Sequence, residues 1–212
     1  VVAIIDPDMT ASMPPKLCAA TGIDAFVHAI EGYITKGAWE LTDMMHIKAI
    51  EIIARSLRDS VKGDPEGRAQ MALGQYIAGM GFSNVGLGIV HSMAHPLSAV
   101  YDIPHGVACA ILLTPVLKFN APSTANKYRD IAVAMGVKNT EDMSIEQARQ
   151  ACIEAVEKLS VDVGIPQKLT QLGVKEEDLQ FLSESAFVDA CTPGNPRNVS
   201  VEAIKEIYKS IM

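Results

Sequence analysis

Three of the chain's five histidines, His91, His95 and His105, fall within fifteen positions in the stretch NVGLGIVHSMAHPLSAVYDIPHG (84–106). His91 and His95 are four apart, which stacks both imidazoles on one face of a helix. Pro96 follows at once, where its ring crowds the Ser92 carbonyl and loosens the turn that carries them. A turn at Asp102-Ile103-Pro104 delivers His105 from a second element, and Gly106 lets backbone pass close by. Asp24 and His28 form another pair four apart, beside an apolar stripe of Ile23, Phe26, Val27, Ile30 and Ile34 at helical spacing. Imidazoles set in apolar sequence must find partners, because an unpaired buried polar group costs about 1–3 kcal/mol. A shared metal ion satisfies several of them together, and two helical pairs plus a loop histidine can build such a site between helices. Three imidazoles and one carboxylate, with no thiolate, suit Fe(II), with Zn(II) as the alternative. One divalent ion with one Asp keeps a formal positive charge and can act as a Lewis acid on an alkoxide or hydroxide. A closed structural zinc site would more often use cysteines. Spacing alone leaves open which three of His28, His91, His95 and His105 are ligands.

Plainer readings compete at each position. A single histidine on an apolar face is ordinarily a hydrogen-bonded core residue, so the metal argument rests on the set. His46, between Met45 and Ile47, has no partner in the pattern and reads as ordinary. Gly81, Gly86 and Gly88 resemble a phosphate loop only loosely, since no Gly-Lys-Ser/Thr follows, and helix packing explains them better. Asn195-Pro196-Arg197 fits a plain turn and a site-lining loop equally. Cys191 reads as a bystander thiol rather than a nucleophile.

The elements that must hold these residues are helical. Nearly half of the 212 residues are apolar and only 5% aromatic, so the core is built from Ala, Ile, Leu, Val and Met. The net charge of −7 argues against a nucleic-acid partner. Four scattered cysteines without a CxxC pair indicate reduced thiols and a cytoplasmic setting. No apolar run approaches about 18 residues, so no membrane span is expected. VVAII, closing at Asp6-Pro7-Asp8, reads as the last strand of a domain whose beginning is absent, not as a signal peptide. Residues 1–12 are therefore assigned as strand and connector, and 13–212 as an all-helical body. A helix starting at Met13-Pro14-Pro15 is interrupted at Gly22 and resumes as IDAFVHAIEGYI. A second, capped by Thr42 or Asp43, runs to about Val61, and a third spans about Glu66 to Met80. VACAILLTPVLKFN is apolar all round and implies a fully buried helix. Further helices are expected at about 124–135, 144–163, 175–188 and 200–212, with the loop ACTPGNPRN before the last.

TGIDAFVHAIEGY (21–33), GLGIVHSMAHPL (86–97) and PHGVACAILLTPVLKFN (104–120) closely resemble the iron-dependent, or group III, alcohol dehydrogenases. The detail of GAWELTDMMHIKAIEII, GQYIAGMGFSNVGLG and CTPGNPR is most similar to the lactaldehyde/1,2-propanediol branch of that family. The resemblance implies the C-terminal helical domain of a two-domain, dehydroquinate synthase-like fold, whose missing N-terminal α/β domain holds NAD and leaves only VVAIIDPD behind. It implies metal ligation by Asp24, His28, His91 and His105, with His95 near the nicotinamide and substrate as a proton-transfer group. Phe82 and Cys191 would approach the substrate, and the segment around Leu17 would skirt the cofactor. The implied activity is reversible hydride transfer between NAD(H) and a small aldehyde or alcohol, with the isolated chain inactive for want of NAD. Homodimers are expected, since removing a partner domain exposes apolar surface. Three other readings are a zinc-dependent relative of the glycerol dehydrogenase or dehydroquinate synthase kind, an HD-type metal phosphohydrolase, and a non-catalytic metal-binding helical fragment. The phosphohydrolase needs adjacent His-Asp, which no histidine here provides.

Overall fold

The computed structural model describes residues 2–212. Its helices are α1 (Pro15–Ile34), α2 (Glu40–Val61), α3 (Pro65–Phe82), α4 (Ile89–Tyr101), α5 (His105–Asn120), α6 (Lys127–Ala134), α7 (Ile145–Asp162), α8 (Leu179–Phe187) and α9 (Val201–Lys209), linked by short 3₁₀ turns. The all-helical body expected from the sequence is present. The expected N-terminal strand is not: among the described residues there is no strand, and Val2 and Ile4 are almost fully exposed. A strand needs a neighbour to pair its backbone groups, and none lies alongside this segment. Val1 of that run lies outside the described residues. Instead Asp6 caps a 3₁₀ turn over Pro7–Thr10, and the Arg68 guanidinium donates to the Thr10 and Met13 carbonyls, tying the connector to α3.

Around α1 the rest is arranged, with α2, α3 and α5 packed against it. The helix is continuous where an interruption at Gly22 was expected. A Cβ at Gly22 would lie 2.3 Å from Leu57 Cδ1, so the glycine sets a close approach of α1 to α2 rather than a break. Helix α2 begins earlier than the Thr42 or Asp43 cap expected: Trp39 is the cap residue, and Thr42 sits in the first turn with its hydroxyl accepting from the Trp39 N–H. His46, read as ordinary, is fully buried, and neither ring nitrogen has a hydrogen-bond partner. Its ring is seated over Gly32 of α1 and Gly81 of α3, where any Cβ would collide with it.

Helix α5 is largely buried, though not fully as the sequence implied: Ala108 to Leu113, Val116 and Leu117 are in the core, while Lys118 is exposed. The stretch His105–Ser123 is long and apolar enough to reach across a bilayer, but over half of it is buried inside the protein, as in a core helix. Helix α4 packs on α5 and α8 and continues through Pro96 to Tyr101. Asp102 then takes a left-handed conformation with φ 54°, a stop that turns the chain so that α5 starts at His105. The Tyr208 hydroxyl of α9 donates to the Met93 carbonyl at 2.6 Å, fixing α4 from behind.

Candidate metal centre

Asp24 and His28 come from α1, His91 and His95 from α4, and His105 opens α5. The fold brings all five together at the meeting of these helices. Asp24 Oδ1 is the hub, 4.0 Å from His28 Nδ1, 3.7 Å from His91 Nε2 and 3.8 Å from His105 Nε2. The Nε2 atoms of His28 and His91 are 3.1 Å apart. Asp24 Oδ1 is buried and has no hydrogen-bond partner. An anionic oxygen facing three nitrogens just beyond hydrogen-bond reach is a poor arrangement by itself. It suits a first-row divalent cation, since metal–ligand bonds of about 2.0–2.2 Å put neighbouring ligand atoms roughly 3.3 Å apart in a tetrahedral shell, and further at wider angles. Burial pushes the His28 imidazolium down and the neighbouring His91 adds to it, despite Asp24. Burial likewise lowers His105, Asp24 opposing and His91 and His95 reinforcing. Both rings are thus favoured in the neutral form that ligates metal.

His91 is held differently. Burial alone would lower it, but the hydrogen bond and charge of Glu31 outweigh that and keep it above its ordinary range. Glu31 Oε2 lies 2.7 Å from His91 Nδ1, and Oε1 accepts from the Val90 N–H at 2.7 Å. Gly88 heads α4 without a capping side chain, so the α1 carboxylate takes up α4's first free N–H groups. A Cβ on Gly88 would sit 2.8 Å from Glu31 Oε1, which explains that glycine as packing. Asn195 supports the same helix end: its Oδ1 faces the Ile89 N–H and accepts from Asn120 Nδ2 at 2.8 Å, and its amide donates to Asn120 Oδ1 at 2.8 Å. Asn195 is thus buried behind the start of α4 and does not line the cluster itself.

His95 stands apart from the hub. Its Nδ1 lies 2.7 Å from Asp189 Oδ2, and its ring stacks on His105 with centroids 5.5 Å apart. Its side chain is 44% exposed, open enough to exchange protons with solvent. Phe82 stacks on the His28 ring at 4.5 Å. Both line a cavity of about 540 Å³ between α1, α3 and the N-terminal connector, walled also by Asp24, Ile4, Met9 and Met71. Cys191 is half-buried beside Asp189, which accepts from its backbone N–H. Burial, then the Asp189 charge, pushes its thiol up to about 12, in keeping with a bystander. Leu17 is half exposed on the first turn of α1 and is not among the residues lining the cavity.

Sequence reasoning missed Glu31, Asp189 and Cys109. Glu31 carried a signal, as a carboxylate within the apolar stripe three positions after His28. Asp189 carried none. Cys109 lies four after His105, and its Sγ is 3.5 Å from His105 Nε2, so a thiol is within reach of the centre after all.

Fold and cluster together define an all-helical domain with a candidate cation centre where three of its helices meet. Residues 18–212 match the family model described as "Fe-containing alcohol dehydrogenase family, C-terminal", and the chain belongs to that family. It is 62% identical to lactaldehyde reductase of Escherichia coli K12 over 207 residues, 98% of this chain and 54% of that protein. It is 44% identical to 1,3-propanediol dehydrogenase of Citrobacter freundii over 210 residues, again 98% and 54%. Among solved structures, 1,3-propanediol oxidoreductase superposes with a TM-score of 0.95 at 42% identity, covering 98% of this chain and 55% of that one. The chain thus spans about half the length of the curated relatives it matches. The family and the helical fold expected from the sequence are both borne out.

Proposed function

We propose that this chain is the metal-bearing helical part of an NAD-dependent oxidoreductase that interconverts a small aldehyde and its alcohol, of the lactaldehyde/1,2-propanediol type. The observation that carries the reading is Asp24 Oδ1, buried, unpartnered and 3.7–4.0 Å from nitrogens of three histidines. The names of the relatives supply the substrate class. Asp24, His28, His91 and His105 would hold the ion, Fe(II) or alternatively Zn(II). Bound there, a divalent cation supplies Lewis acidity toward the substrate oxygen, and the nicotinamide supplies the hydride chemistry.

The chain's own residues do the rest. Glu31 keeps His91 with its Nδ1 protonated and Nε2 turned to the hub. Phe82, stacked on His28, narrows the cavity to small substrates, and Cys191 would approach the substrate from beside Asp189. His95 holds its Nδ1 proton against Asp189 and uses Nε2 to give a proton to the forming alcohol or to take it on oxidation. The segment around Leu17 and the rim at His95 would lie toward the nicotinamide. In this reading the chain alone is inactive, because NAD is held by an α/β domain outside it, and the whole enzyme is a cytoplasmic homodimer without membrane or nucleic-acid partners.

Metal analysis and turnover test it together. The full-length enzyme stripped of metal should lose NADH-dependent reduction of lactaldehyde and regain it with Fe(II). Recovery with Zn(II) and preference for glycerol over propanediol would favour the zinc-using relatives. Full turnover without metal, NADH binding by this chain alone, or no divalent-ion binding at all would overturn the proposal.

A further inference from the structure

We infer that Cys109 is a donor to the centre and gives it a second, thiophilic coordination set, Asp24–His91–His105–Cys109, that competes with the set containing His28. The inference rests on the metal reading proposed above. One ligand atom from each of these four residues lies within 4.8 Å of the other three. Cys109 Sγ is 3.5 Å from His105 Nε2. With metal–sulfur bonds of about 2.3 Å and metal–nitrogen bonds of about 2.0–2.1 Å, a tetrahedral ion places its N and S ligands roughly 3.5 Å apart. The observed separation is the one a shared ion needs. His28 lies outside this four-atom group although its Nε2 is 3.1 Å from that of His91, so the two sets share three donors and differ in the fourth.

Helix geometry explains why the thiol is there. Cys109 follows His105 by four residues on α5, so both side chains leave the same face one turn apart. Its thiol is fully buried, is in no disulfide, and has His105 as its hydrogen-bond partner. A buried free cysteine is often simply a small apolar residue, but this one has its sulfur directed at the polar cluster.

The two sets differ in charge. Asp24, His28, His91 and His105 with a divalent ion keep one net positive charge. In the second set, ligation releases the Cys109 proton to solvent, and two anionic donors neutralise the ion. Soft ligands favour Zn(II) and Cd(II) over Fe(II) and Mn(II). Thiophilic ions therefore favour the set that contains Cys109, while Fe(II) and Mn(II) favour the set that contains His28.

Cobalt(II) reads the difference without turnover. Wild-type protein loaded with Co(II) should show visible d–d bands and a near-ultraviolet sulfur-to-cobalt charge-transfer band. Cys109→Ser and Cys109→Ala should each lose the charge-transfer band and keep the d–d bands. Their Cd(II) and Zn(II) affinities should fall about tenfold or more, with Mn(II) affinity unchanged. Cys191→Ser, which alters the other thiol near the cluster, should retain the band. A wild-type spectrum with d–d bands and no charge-transfer band would overturn the role of Cys109 while leaving the four-ligand reading intact, as would a band that survives both Cys109 substitutions. No cobalt spectrum in the wild type would instead remove the metal reading itself. If neither Cys109 variant folds, loss of the wild-type band on Cys191→Ser would assign the sulfur to Cys191 and refute the inference.

Discussion

Glu31→Gln separates the presentation of a ligand from the packing of a helix. The glutamine is the same size and keeps an oxygen to accept from the Val90 N–H, where Glu31 Oε1 now accepts at 2.7 Å. Its amide nitrogen would take the place of Oε2, 2.7 Å from His91 Nδ1. Facing a donor, Nδ1 must become an acceptor, and the ring proton moves to Nε2, the atom 3.7 Å from Asp24 Oδ1. The lone pair that would bind the ion is lost unless the amide pays to turn over. Partners that orient a metal-bound histidine in this way are worth about 10–100-fold in affinity, or about 1.4–2.8 kcal/mol. The metal-free fold should lose no more than about 1–2 kcal/mol, since a hydrogen bond to a charged carboxylate gives way to a neutral one. The assay pairs Co(II) or Zn(II) titration with thermal melting of the metal-free protein. Affinity within about twofold of wild type at unchanged melting temperature would refute the argument. Several kcal/mol of lost stability at unchanged affinity would make Glu31 a helix cap and nothing more.

Asp24→Asn should lower divalent-ion affinity by about 100-fold while leaving the metal-free protein about as stable, because the buried Oδ1 accepts no hydrogen bond that would be lost; a clear drop in metal-free melting temperature would count against the hub. Asp189→Asn should reduce the turnover number of the full-length enzyme by about 10²-fold or more through misorientation of His95, with metal affinity unchanged and the pH profile displaced; an unaltered pH profile would exclude His95 as the proton relay. His46 is lowered from 6.5 to about 4 by burial, then by the Lys127 charge. Its unfolded form takes up a proton first as pH falls, so the stability it contributes is complete above about pH 6.5 and is lost on descending to about pH 4. At 1.36 kcal/mol per unit this amounts to about 3 kcal/mol. Denaturant unfolding of metal-free wild type and His46→Leu over that range should show the acid slope in the first and its loss in the second, whatever their absolute stabilities.

What the sequence disclosed about the centre was local. Asp24–His28 and His91–His95 are helical neighbours, so their spacing alone put each pair on one face. The motifs that carry the family resemblance then singled out His105 as a ligand and His95 as the outer ring, which spacing could not do. Gly22 looked like a break because glycine weakens an isolated helix, yet its role is set by Leu57, which is far away in sequence. VVAII had the composition of a strand and lacked the second strand that would make it one. The larger omissions share this cause. Glu31 matters because its two oxygens meet Val90 and His91, about sixty residues downstream. Asp189 matters because a loop near the C-terminal end returns to His95. His46 passed as ordinary because nothing beside it is unusual. Its seat is formed by two glycines on different helices, and its orphan nitrogens become visible only once both are in place. Cys109 differs from these, since four residues from His105 it was as legible as the Asp24–His28 pair. It lacks the paired-cysteine spacing that ordinarily marks sulfur ligands. A single thiol one helical turn from a histidine can be as good a donor as either member of such a pair, because both side chains leave the same face of α5.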